Sequence, residues 1–198
     1  GPTAPLEKGM KRSLVLVGTA YFLTSIGVTP HMLFLTDYLH RHFGTSVAES
    51  SQLFALVGVG SLVGALTSGV TARLFGTPLA LAANYLLGAV AILMVLLTTS
   101  VTAITVSAFM MGFFLLCCVA LSSIRTGEIS GVARHPHDWG ILTLSFGLGL
   151  AIGSYGLSGL LSLGASYYML FVIAQGILAV ALLLSIWVFL RRPQTHGG

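Results

Sequence analysis

The chain has 198 residues, of which 56% are hydrophobic and only 7% charged, with a formal net charge of +4. Soluble domains carry roughly 25% charged residues, so this composition argues against a water-soluble globular domain. The positive residues are spread over separated junctions rather than one face, which argues against a nucleic-acid interface.

Residues 1–12 read as a linker or tag remnant. Gly1-Pro2 looks like a protease scar or a cut fragment, while Met10-Lys11-Arg12 offers a native start as the alternative. Six apolar stretches follow, each near the ~20 residues that cross a bilayer, and they predict helices at 13–38, 47–73, 78–98, 101–124, 139–162 and 165–190. The first is too long for a signal sequence and lacks a cleavage-like site. The predicted organisation is therefore a six-helix transmembrane bundle over 13–190, followed by a cytoplasmic tail at 191–198.

Helix one carries the most chemistry. Tyr21, Thr24, Val28 and His31 share one narrow face, given 3.6 residues per turn. Gly27 and Pro30 interrupt the helix just before His31, and Pro30 frees a carbonyl in the preceding turn. Breaks of this kind need protein or a water-filled cavity to satisfy the backbone, and in transporters they mark binding sites. His31 changes charge near neutral pH and so suits proton coupling; a neutral, hydrogen-bonded core histidine is the plain alternative. Asp37 stands four residues before Arg41, a spacing that suits a structural ion pair at the membrane surface, the favoured reading, with an outer gate or proton carrier as the alternative.

Helix two opens at Glu49, which suits its dipole, and carries Gly58, Gly60, Gly64 and Ser68. Helix five carries Ser145, Gly149, Gly153 and Gly156 at similar steps. Such small residues let helix backbones approach closely, and packing is the favoured reading. Asn84 and Tyr85 in helix three, Thr143 and Tyr155 in helix five, and Gln175 in helix six suit a cavity lining or bonds between helices. Cys117 and Cys118 lie adjacent in mid-span and read as small apolar fillers, so neither a disulfide framework nor a metal site is expected. Cofactors are not expected either. Between helices four and five, Arg125, Glu128, Arg134 and Asp138 suit a charge cluster or, more simply, a solvated loop.

The basic residues fix a topology. Lys8, Lys11 and Arg12 precede the first span, Arg73 follows the second, Arg125 and Arg134 the fourth, and Arg191 and Arg192 the sixth. Only Arg41 stands at an opposite junction. Cytoplasmic loops hold the excess of Lys and Arg, which predicts six crossings with both termini cytoplasmic. The longer joints, 39–46 and 126–138, follow helices one and four, the pattern of two inverted three-helix units. The fold class is thus an all-α membrane protein of two inverted triplets. No residue-level repeat is evident.

An enzyme reading rests on Gly156-Leu157-Ser158-Gly159, which matches the GxSG of rhomboid intramembrane proteases. Those enzymes need a histidine on a later helix to activate the serine. Helix six holds none, so GLSG reads as packing and the chain as a non-enzyme. An intramembrane serine protease and a non-transporting scaffold remain the alternatives.

Two runs carry a family resemblance. Thr29-Pro30-His31-Met32-Leu33-Phe34-Leu35-Thr36-Asp37-Tyr38 leads through Arg41 and Gly44 into a glycine-rich helix that ends Gly69-Val70-Thr71-Ala72-Arg73-Leu74-Phe75-Gly76. That ending resembles the G-x-x-A-D-R-x-G signature of the major facilitator superfamily, with Arg73 in place of Asp and Leu74 in place of Arg. Asp138-Trp139-Gly140-Ile141-Leu142-Thr143 is similar to the penultimate helix of bacterial members, especially a poorly characterised branch. The resemblance covers almost the whole chain, but only as the C-terminal six helices of a twelve-helix protein. It implies secondary active transport of a small solute by alternating access, in a bacterial inner membrane. It also implies a second six-helix half as partner, either a separate N-terminal half or another copy of the chain. In this family the first and fourth helices of a half line the cavity. The implied substrate or proton site is therefore Tyr21, Thr24, His31 and Asp37, joined by Ser107 and Met111 on helix four.

Overall fold

The computed structural model describes residues 7–190, and those residues form helices joined by short turns. They are α1 (Lys8–Gly27), a π-helical turn (Pro30–Phe34), α2 (Leu35–Phe43), α3 (Val47–Phe75), α4 (Thr77–Leu97), α5 (Val101–Ser130), α6 (His135–Ser162) and α7 (Tyr167–Leu190). α1, the π turn and α2 run on as one span, Lys8–Phe43, and six helices are long and apolar enough to cross a membrane. The expected boundary at residue 12 falls inside α1, and the expected tail at 191–198 lies outside the described residues.

Local chemistry sets the ends of these helices. Ser46 caps α3 by accepting from the Glu49 N–H at 3.2 Å, while the Glu49 carboxylate accepts from the Ser46 N–H at 2.7 Å. This reciprocal capping box satisfies two otherwise orphaned donors. Gly44 ends the first span with φ 67°, a left-handed conformation that glycine adopts without steric cost. Pro78 and Pro136 sit in the first turns of α4 and α6, where no N–H is needed.

The joints are shorter than expected. α5 continues to Ser130 and α6 already begins at His135, while α2 continues to Phe43, so the loops shrink to 44–46 and 131–134. Loop length thus loses its value as a sign of inverted units, because both long joints are largely helical. Helix packing supplies a better sign. α5 packs on α3 and α4, and α1 packs on α6 and α7. Exchanging α1 for α5, α3 for α6 and α4 for α7 carries one set of contacts onto the other. The α4–α7 and α1–α5 contacts map onto themselves.

The correspondence reaches individual residues. Gly60 and Gly64 of α3 lie against the backbone at Phe109 and Phe113 of α5; Gly149 and Gly153 of α6 lie against Phe22 and Ile26 of α1. Likewise Gly88 of α4 abuts the Phe114 ring, and Gly27 of α1 abuts Leu178 and the Ala174 carbonyl of α7. Three spans reverse the direction of the chain, so these units are inverted repeats. The small-residue stripes are packing faces, as favoured, but Gly58 and Gly156 lie outside them with nothing close by.

Outside the contact faces, large apolar side chains stand exposed all round, including Leu62, Leu66, Leu144, Ile152 and Leu183. Soluble proteins rarely expose patches beyond a few hundred Å². Here the hydrocarbon of a bilayer is the solvent, and the chain is a multi-pass membrane protein. Because α1 begins beside the end of α7, both ends of the described chain share one membrane face, called the terminal face below; the other is the distal face.

Candidate functional site

Pro30 has no N–H to give the Ile26 carbonyl, and the helix answers by widening into a π turn over Pro30–Phe34. The expected kink is therefore a register change within a continuous span. Met32 N–H still reaches the Val28 carbonyl at 3.1 Å. The turn aims His31 into the bundle, where it is fully buried between α5 and α7.

His31 Nε2 lies 3.0 Å from Ser107 Oγ on α5, and Ser107 Oγ donates its proton to the Ala91 carbonyl of α4 at 2.6 Å. With that proton committed, Ser107 must accept from His31, which places the imidazole hydrogen on Nε2. Nδ1 is then a bare acceptor, and among the described residues no donor meets it. The Phe171 ring closes the other side, edge-on at 5.3 Å between centroids. Buried polar atoms are nearly always satisfied, so an exception asks for a reason.

Two turns away, a second polar group joins the same helices. Thr24 Oγ1 lies 2.9 Å from the Ala20 carbonyl and 3.1 Å from the Tyr85 hydroxyl, and the Cys118 thiol reaches that hydroxyl at 3.5 Å. Ser122 continues the cluster, 3.9 Å from Cys118 Sγ. Cys118 is thus part of a polar contact, not merely a filler. By the repeat correspondence Cys118 occupies in α5 the place of His31 in the first span, and Tyr85 that of Phe171.

The residues singled out from the sequence fall into two groups. Tyr21, Thr24, His31, Ser107 and Met111 are all buried in the bundle core. Tyr21 packs in tilted ring contacts on Phe146 and Trp139 of α6, with centroids 4.7 Å and 5.5 Å away. Asp37 is apart from them, on the distal face. It pairs with Arg41 at 3.4 Å, both side chains about half exposed or more, and accepts the Tyr167 hydroxyl. Exposed i,i+4 pairs contribute ~0.3–0.5 kcal/mol, so this pair steadies α2 only weakly, and it is the Tyr167 hydroxyl that ties Asp37 to α7.

Other positions resolve differently. Asn84 bonds the Phe114 carbonyl at 3.0 Å. Thr143 and Tyr155 are exposed on α6, Tyr155 at 82%, and line no enclosed cavity. On the terminal face the proposed solvated loop is an ordered cluster. Arg125 donates to Glu128 at 2.9 Å, and Glu128 also takes the Thr77 hydroxyl. Asp138, only 2% exposed, accepts from Ser130 at 2.6 Å, Arg134 at 3.3 Å and His137 at 3.0 Å. Ser158 is exposed and bonds no histidine among the described residues. Thr24 and Tyr85 stood out in the sequence as polar positions, but their meeting with Cys118 and Ser122 did not, because the members come from three helices and share no local pattern.

Six apolar spans in two inverted triplets, with a broken first span and a buried histidine at the break, define a membrane transporter architecture. The family model described as "Uncharacterised MFS-type transporter YbfB" matches residues 2–186, and the chain belongs to that family of the major facilitator superfamily. No curated protein matches the chain. Membership makes the chain a transporter-type protein for small molecules.

Proposed function

We propose that the chain is one six-helix half of a secondary active transporter that moves a small solute by alternating access and couples it to protons through His31. The observation that carries this reading is the unpartnered Nδ1 of a fully buried histidine, held at a π turn between corresponding helices of two inverted repeats. A proton taken at Nδ1 creates a charge that the apolar pocket of Phe171 disfavours. Its relief requires the first span to move against α5 and α7, which is the motion that alternating access needs. Tyr21, Thr24, Ser107 and Met111 form the core that transmits this movement, and Asp37 with Arg41 forms a weak latch on the distal face. The second half of the cavity comes from another six-helix unit, either a separate half or a second copy. The placement is a bacterial inner membrane with the terminal face cytoplasmic, supported by the basic residues at alternate junctions.

Proteoliposomes holding the transporter with its second half test the coupling. A pH-sensitive dye inside them reports proton entry as a panel of solutes is added outside. Solute-driven acidification should be lost in His31→Ala and reduced in Asp37→Asn. Unchanged acidification in both variants would overturn the coupling, and no solute flux with any partner half would favour a scaffold.

A further inference from the structure

The first two turns of α1 place Lys8, Lys11 and Arg12 on one helical face, and Val15 and Leu16 continue that face one turn deeper. With Trp187 of α7 they line an open groove of about 460 Å³ on the terminal face. The Arg12 guanidinium lies 4.7 Å over the Trp187 ring. This contact holds the cation at the rim while the indole forms the apolar wall. Among the described residues no carboxylate pairs with Lys8, Lys11 or Arg12. Glu7, the nearest acid in the chain, is exposed and makes no ion pair there.

Depth gives the groove its meaning. From Lys8 to Arg12 the helix rises about 6 Å, which matches the roughly 5–8 Å of headgroup region on each side of the hydrocarbon. The cations therefore sit at headgroup level, and Val15, Leu16 and the Trp187 ring sit at the start of the acyl chains. Tryptophan favours that boundary. We propose that this groove is a binding site for an anionic membrane phospholipid, its phosphodiester held by Lys8, Lys11 and Arg12 and its acyl chain laid along Val15, Leu16 and Trp187. Charge complementarity selects the occupant: three cations with no carboxylate partner among the described residues face a layer that offers phosphate, and the wall beneath them is apolar. A soluble anion would use the cations alone and make no use of the apolar wall.

Trp187 also reports the test, because the chain has only two tryptophans. The full chain carrying Trp139→Phe is reconstituted in phosphatidylcholine, and brominated phosphatidylglycerol or brominated phosphatidylcholine is titrated in. Trp187 fluorescence should be quenched preferentially by the anionic lipid. A juxtamembrane cation is worth about 1 kcal/mol of anionic-lipid attraction, close to fivefold. Lys8→Gln with Lys11→Gln should therefore cut the preference roughly 25-fold, while Arg73→Gln on the same membrane face leaves it unchanged. An unchanged preference in the double variant, folded by its melting temperature in phosphatidylcholine, overturns the site. So does an equal loss in Arg73→Gln, which means a general surface potential. Relief of quenching by soluble glycerol phosphate at the same concentration overturns it as well, in favour of a dissolved anion. Should the double variant not fold, salt on the unaltered sequence decides. Raising it from 0.1 to 1 M shortens screening from about 10 to 3 Å and should abolish the preference; a preference that survives 1 M salt overturns the proposal.

Discussion

The two inverted repeats share a packing plan and differ at its centre. In the second, α5 runs unbroken from Val101 to Ser130 and sets Cys118 beside Tyr85. In the first, the span is interrupted at Pro30–Phe34 and sets His31 beside Phe171. The seams differ too. Gly60, Gly64 and Gly112 meet only backbone across the α3–α5 seam, whereas Gly149 and Gly153 meet the Ser25 and Thr29 hydroxyls of α1 first and its backbone at Phe22 and Ile26 beyond them. The rigid seam and the straight helix belong together, as do the softer seam and the broken one. The repeat that carries the buried histidine is also the one built to shift register.

Substitutions that reverse these differences should separate the repeats. Gly112→Leu forces a side chain into the Val57 backbone and should cost about 3 kcal/mol or more, the upper range for overpacking, read as a lowered unfolding midpoint in detergent. Gly149→Ala meets the movable Ser25 hydroxyl as well as backbone and should cost about 1 kcal/mol. Equal losses would deny the contrast between seams. Pro30→Ala returns an N–H to the Ile26 carbonyl and should stabilise the span by about 1 kcal/mol, a typical net hydrogen bond. If the π turn is the moving element, that variant should transport more slowly despite its stability; undiminished flux would remove the break from the mechanism. His31→Leu deletes an unsatisfied buried acceptor and should change stability by less than about 1 kcal/mol while abolishing solute-driven acidification. Asp37→Asn weakens an exposed pair and should shift the midpoint by no more than about 0.5 kcal/mol.

Much of this comparison was legible before any coordinates. Pro30 announced the break, and the face shared by Tyr21, Thr24 and His31 named residues that do reach the core. Glu49 announced the start of α3. The sequence offered no sign that Cys118 answers to His31, since a thiol and an imidazole in unlike surroundings share no pattern. Of the two readings of Arg125, Glu128, Arg134 and Asp138, a charge cluster or a solvated loop, the simpler one was the wrong one: i,i+3 and i,i+4 pairs order most of 126–138 into helix. Trp139 and Phe146 gave no hint that they cover Tyr21, because aromatic residues suit lipid, interface and core alike.

The sequence by itself determined the number of spans and the depth of each residue. Both follow from the cost of placing charge or unsatisfied backbone in hydrocarbon, which one-dimensional order records directly. Only the tertiary structure decided which side of each helix is inside. In water an amphipathic stripe would have marked it, but in a bilayer the lipid-facing and buried sides are equally apolar and the stripe vanishes. Which apolar face meets another helix is then a matter of shape, of Gly60 against Phe109 or Gly27 against Leu178, and shape complementarity exists only between elements already folded.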